Sequence, residues 1–84
     1  MAYLEGAAFS RTGLIDQLEY EGFSTADATL AVDSLNIDYM EQAARSAESY
    51  LNVMSFSRSG LINQLKYEGY THEQAVYGAD SVGL

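Results

Sequence analysis

Apolar residues recur three and four positions apart along nearly the whole chain, and Gly or a short polar residue punctuates them at regular intervals. From Asp38 to Met54 the apolar positions are Met40, Ala43, Ala44, Ala47, Leu51 and Met54, one stripe of a helix. Asp38, with Glu41 three residues on, forms a variant capping box at its start. A second helix opens at Ser57, an N-cap residue, with Phe56 and Leu61 at the spacing of a hydrophobic staple; Phe9 and Leu14 stand in the same way around Ser10. It closes at Gly69, or Gly22 in the earlier stretch, where the left-handed backbone of a helix ending favours Gly. Tyr70 with Leu65, and Phe23 with Leu18, have the spacing of the apolar contact in a Schellman ending. A third helix starts at once from Thr71, which Gln74 completes as a capping box, or from Ser24. It carries Ala28, Ala31, Val32 and Leu35 on one face, or Ala75, Gly78, Ala79 and Val82, and side chains this small predict close helix approach. No stretch alternates as a strand does, so the fold class is all-α.

These elements occur twice. Phe9–Gly22 and Phe56–Gly69 differ at three positions only, in an ungapped register of 47 residues, and extending it through Ile37 and Leu84 gives 14 identities in 29 positions. Tyr3-Leu4 and Tyr50-Leu51 fall in the same register. A period of this size marks supersecondary units that stack to share a core. The sequence therefore predicts tandem three-helix repeats resembling helix-turn-helix modules. Residues 1–37 form the first, with its first helix shortened to about eight residues, and residues 38–84 form the second.

Composition narrows the functional classes. The net charge is −8, with eight acids and two bases in residues 1–47 and four acids and two bases in residues 48–84. Such a surface opposes phosphate backbones and anionic lipid and favours a basic partner. The third helix, which would read DNA in a helix-turn-helix protein, has no Arg or Lys in either copy and bears Asp27, Asp33, Glu73 and Asp80, so no nucleic-acid partner is expected. Cys is absent, which removes disulfides, thiolate metal sites and thiol nucleophiles. No apolar run approaches a bilayer span, so a soluble chain without direct membrane insertion is expected. Met1–Glu5 has neither the basic n-region nor the long apolar core of a signal peptide. That fits a cytoplasmic protein or a sequence that begins inside a mature one.

Catalytic chemistry finds no footing. His72, the sole His, sits in a first helical turn where the other copy has Thr25, and reads as a surface residue. No Ser-His-Asp arrangement, phosphate-cradling Gly loop or metal-ligand cluster is present, so the chain is read as a non-enzyme without cofactor or metal. Binding chemistry is better represented. Asp16, Glu19 and Asp27 are replaced by Asn63, Lys66 and Gln74 in the second copy, and Asp16 and Glu19, three residues apart, share a helix face. Seven Tyr supply large contact area and a hydroxyl, which suits protein interfaces. Tyr20 and Tyr67, identical in both copies, are expected to close the small cores, which leaves Tyr39 and Tyr77 as interface candidates. Arg11 with Asp33 and Arg58 with Asp80 are expected to pair within each unit.

The run from Phe56 to Asp80, Phe-Ser-Arg-Ser-Gly-Leu-Ile-Asn-Gln-Leu-Lys-Tyr-Glu-Gly-Tyr-Thr-His-Glu-Gln-Ala-Val-Tyr-Gly-Ala-Asp, resembles the repeat of the host cell surface-exposed lipoprotein (Ltp) family. Asp38–Leu51 is similar to that family's first helix. The resemblance implies tandem helix-turn-helix-like modules on the outer face of a Gram-positive cell membrane, lipid-anchored in the full-length protein. Its best-known members are phage superinfection-exclusion lipoproteins, which block DNA injection by engaging the tape measure protein of an incoming phage. No catalytic residue is implied. A basic segment of a phage protein is thus the expected partner, captured by the acidic face and held by Tyr. A structural or adhesive cell-wall module without a phage target is the alternative.

Overall fold

The computed structural model describes residues 7–84, and every regular element in that range is helical. In chain order these are α1 (Arg11–Tyr20), α2 (Thr25–Asp33), α3 (Tyr39–Val53), α4 (Arg58–Tyr67) and α5 (His72–Ser81). The shortened first helix expected for the first copy, with Tyr3-Leu4, falls on residues 1–6 and their immediate neighbours; residues 1–6 lie outside the described residues.

The ends of the helices follow from their sequence. Ser10, Ser24 and Ser57 each accept a hydrogen bond from the backbone N–H three residues on, at 2.9, 3.1 and 3.0 Å. Asp38 accepts from Met40 and Glu41, and Thr71 and Gln74 form the reciprocal box. Each cap satisfies a helical N–H that has no partner within its own helix. The Schellman endings are also as expected: Gly22 and Gly69 both have φ +105°, with Phe23 N donating to Leu18 O at 3.1 Å and Tyr70 N to Leu65 O at 3.2 Å. The matching place after α2 and α5 is held by Asn36 at φ 51° and Gly83 at φ 83°.

Two apolar clusters result. In the first, Leu14, Ile15 and Leu18 of α1 meet Ala28 and Val32 of α2, with Phe9, Ile37 and Tyr39 packed against them. In the second, α3 joins the pair: Ala43 and Ala47 bury against Leu61 and Leu65 of α4 and Ala75 and Ala79 of α5. The close approach predicted from small residues is real at Gly78, where an added Cβ would stand 2.9 Å from the Ala43 carbonyl oxygen. The buried strip of α3 nevertheless differs from the one read by apolarity. It comprises Gln42, Ala43, Ser46 and Ala47. Gln42 and Ser46 are buried because each has a specific partner: Phe9 N donates to Gln42 Oε1 at 3.1 Å, and Ser46 and Tyr70 hydroxyls meet at 2.7 Å.

The two clusters are bridged at one edge. Ser10 Oγ donates to the Glu68 carbonyl at 2.7 Å, and Tyr39, the first residue of α3, packs on the α1–α2 cluster. The body measures 37 × 22 × 18 Å.

Candidate functional site

The expected ion pairs form and brace each helical pair from outside. Arg11 meets Asp33 through two parallel bonds, Nε to Oδ1 at 2.7 Å and Nη2 to Oδ2 at 2.9 Å, and Arg58 Nη1 meets Asp80 Oδ1 at 2.5 Å. The hydrogen bond from Arg11 holds the Asp33 carboxyl below its ordinary value. Both pairs are solvent-exposed, so their contribution is geometric more than energetic.

The five residues proposed for binding do not form one cluster. Asp16 is exposed on α1 and Glu19 follows one turn later on the same side. The Glu19 carboxylate accepts from Thr25 Oγ1 at 2.6 Å, which joins the C-terminal half of α1 to the first residue of α2. Asp27 is exposed, but two residues beyond Thr25 is about 200° around a helix, so it faces away from the side that meets Glu19. Tyr77 is half-exposed on α5, in the other helical pair.

Tyr39 turns inward. Its ring packs on the first cluster and its hydroxyl is buried with no hydrogen-bond partner. Burial pushes its phenol above the ordinary tyrosine value, the nearby Arg11 opposing and Asp33 adding to the shift.

The assignment of Tyr20 and Tyr67 to the cores is corrected by the structure. They are 88% and 87% exposed, the most open large apolar side chains among the described residues. Helical phase is the reason: the buried stripe of α1 runs through Leu14, Ile15 and Leu18, and Tyr20 lies two residues past Leu18, on the opposite side. The same phase could have been read from the sequence. Tyr20 instead stands four residues after Asp16 and beside Glu19, so Asp16, Glu19 and Tyr20 compose one acidic face with an aromatic surface. In the second pair the same positions are Asn63, Lys66 and Tyr67, where Lys66 and Tyr67 remain exposed.

Concavities are shallow. An open depression of about 340 Å³ lies between Ala7-Ala8 and the C-terminal half of α3, with Ser46, Ser49, Tyr50, Val53 and the Glu68 region on its walls. Among the described residues, no group of three or more His, Cys, Asp or Glu could hold a metal ion, and no helix is long and apolar enough to cross a membrane.

Against known proteins, one family model matches, described as host cell surface-exposed lipoprotein, over residues 1–35 and 38–82. No curated protein and no solved structure matches the chain.

Proposed function

The chain belongs to the host cell surface-exposed lipoprotein family, and from that premise we propose that it is the protein-binding part of a lipid-anchored surface lipoprotein that excludes superinfecting phage. Its partner is a basic segment of an incoming phage protein, the tape measure protein in the best-known members the sequence resembles. Capturing that segment outside the membrane stops DNA delivery.

The observation that carries this reading is the face of α1 on which Asp16 and Glu19 flank a Tyr20 ring that is almost wholly in solvent. A large exposed aromatic beside carboxylates suits a partner with cationic side chains, which gain from the ring face and the charge together. Net charge concentrated in the first half of the chain raises the encounter rate with such a partner. Binding of this kind needs neither metal nor cofactor, and the protein acts without catalysing a reaction.

The test is to anchor the chain on the surface of a phage-sensitive host and measure phage plating and DNA delivery. Reduced DNA delivery with unimpaired phage adsorption is expected, and it should be lost in an Asp16→Asn/Tyr20→Ser variant. Undiminished delivery at full surface display would instead favour a structural or adhesive role in the cell wall.

A further inference from the structure

Tyr67 belongs to the helical pair on which α3 packs, so its 87% exposure is a property of a complete three-helix unit. Tyr20 holds the same register position and is open to the same degree, at 88%. Asn63 and Lys66, the counterparts of Asp16 and Glu19, are exposed in the complete unit too. The first helix of a unit therefore leaves this side of the second helix uncovered, and neither tyrosine has a duty in a core.

The contact between units joins the two open positions. Thr12 Oγ1 meets the Gly69 carbonyl oxygen at 3.4 Å, and a Cβ at Gly69 would collide with that hydroxyl. Thr12, Asp16 and Tyr20 follow one another at four-residue spacing, with Glu19 one turn after Asp16, so they run down one side of α1. That side is about 12 Å long from Thr12 to Tyr20. At its Thr12 end the second unit contributes Lys66 and Tyr67, three and two residues before Gly69. An exposed track thus crosses from one unit to the other with a tyrosine at each end.

The two ends differ in charge. Asp16 and Glu19 adjoin Tyr20, whereas Lys66 adjoins Tyr67. Lys66 forms no ion pair among the described residues, and the nearby Glu68 carboxylate acts instead on the Tyr50 phenol, which it raises. A segment that is basic throughout is repelled at Lys66; one that turns acidic there is attracted at both ends.

We propose that this track binds an extended segment of the partner carrying a basic residue and, about five residues away, an acidic one, the base lying at Asp16, Glu19 and Tyr20 and the acid at Lys66 and Tyr67. The site rests on the reading of the α1 face as the seat of a basic segment; the second unit adds an anchor, a spacing and a direction. Extended residues advance about 3.3–3.6 Å each, so five of them cover the side of α1 and the width of the turn. The rings supply contact area at each end, and Tyr20 adds attraction for the cation over its face.

The probes are synthetic peptides: one with Arg followed about five residues on by Glu, the same peptide with Gln for Glu, and two with Arg and Glu about two or ten residues apart. Each is titrated by NMR into the isotope-labelled full chain. The Arg–Glu peptide of five-residue spacing should bind about threefold or more tighter than the others, shifting Tyr20 and Tyr67 together. Lys66→Glu, which copies the first unit at an exposed position, should reverse the order of the Glu and Gln peptides and leave the dichroism spectrum unchanged. The Arg–Glu peptide is neutral, so a general charge effect would not weaken it. A spin label at its acidic end should broaden Lys66 and Tyr67 and spare Tyr20. If the Glu and Gln peptides bind alike at every spacing yet lose affinity in Tyr20→Ser, or if the label broadens Tyr20 first, the two-unit track is overturned and the α1 face stands. No saturable shift with any peptide overturns both.

Discussion

The hydroxyl of Ser10 serves both halves of the molecule: it accepts from Gly13 N at 2.9 Å as the cap of α1 and donates to the carbonyl oxygen of Glu68, at the end of α4, at 2.7 Å. Its counterpart Ser57 makes the same cap at 3.0 Å but is exposed. One residue type in one motif thus has a local duty in one copy and a local plus a long-range duty in the other.

The two serines should therefore differ on substitution. Ser57→Ala loses a cap and should cost about 0.5–2 kcal/mol. Ser10→Ala loses a cap and also strips a partly buried carbonyl of its partner, for about 2–4 kcal/mol together. Urea unfolding of the two variants measures both. Equal losses would mean that the Ser10–Glu68 bond does not couple the halves in solution.

Gly22 and Gly69 share the same left-handed backbone, so Ala at either position is strained by about 1 kcal/mol. Their surroundings differ. A Cβ at Gly22 would meet nothing within 4 Å, whereas one at Gly69 would collide with Thr12 Oγ1 and crowd Ser10 Oγ. Gly69→Ala should lower the melting temperature distinctly more than Gly22→Ala, and a Thr12→Ala background should shrink the difference.

With Ser10 and Tyr39 joining the clusters, heat or urea should unfold the chain in a single transition. Far-ultraviolet dichroism and tyrosine fluorescence are expected to coincide. Two separated transitions in the parent chain would indicate that each helical pair folds on its own.

Alkaline pH should act through Tyr70. Burial pushes its phenol up to about 12, only partly opposed by the hydrogen bond to Ser46. An unfolded tyrosine ionises near 10, so between these values the folded state holds a proton that the unfolded state releases. The stabilising contribution is complete below about pH 10 and is lost as pH rises through about 12. Tyr70→Phe should remove the last step of phenolate absorbance in the folded protein and flatten the stability decline over that window. It should also cost about 1–3 kcal/mol at neutral pH, since Ser46 is left buried without its partner.

The acidic face predicts a salt-dependent affinity. A Lys/Arg-rich peptide should bind the parent chain more weakly as salt is raised, and Asp16→Asn should lower both the affinity and its salt dependence. Tyr20→Ser should lower affinity at every salt, because an exposed ring contributes contact as well as charge attraction. Glu19 is the less clean probe, since its carboxylate also ties α1 to Thr25 of α2. Calorimetry that found parent affinity in the Asp16→Asn/Tyr20→Ser variant would remove this face from the function.

Sequence alone determined the helices, their starts at Ser10, Ser24, Asp38, Ser57 and Thr71, and the left-handed glycines. Each rests on residues joined by one helical turn or by one short connection, where a cap or a missing Cβ acts whatever the rest of the chain does. Tertiary structure decided which faces those helices bury. Gln42 and Ser46 outrank Met40 and Leu51 in the strip of α3 because Phe9 and Tyr70, distant in sequence, supply their hydrogen-bond partners. Phe23 and Tyr70 end their helices in the same way, yet only Tyr70 lies under α3. Tyr39 turned inward because the start of α3 packs across the first cluster, and Tyr20 turned outward by helical phase. Burial depends on what arrives from elsewhere in the chain, as the half-exposed Phe23 and the buried Tyr70, which end their helices alike, make plain.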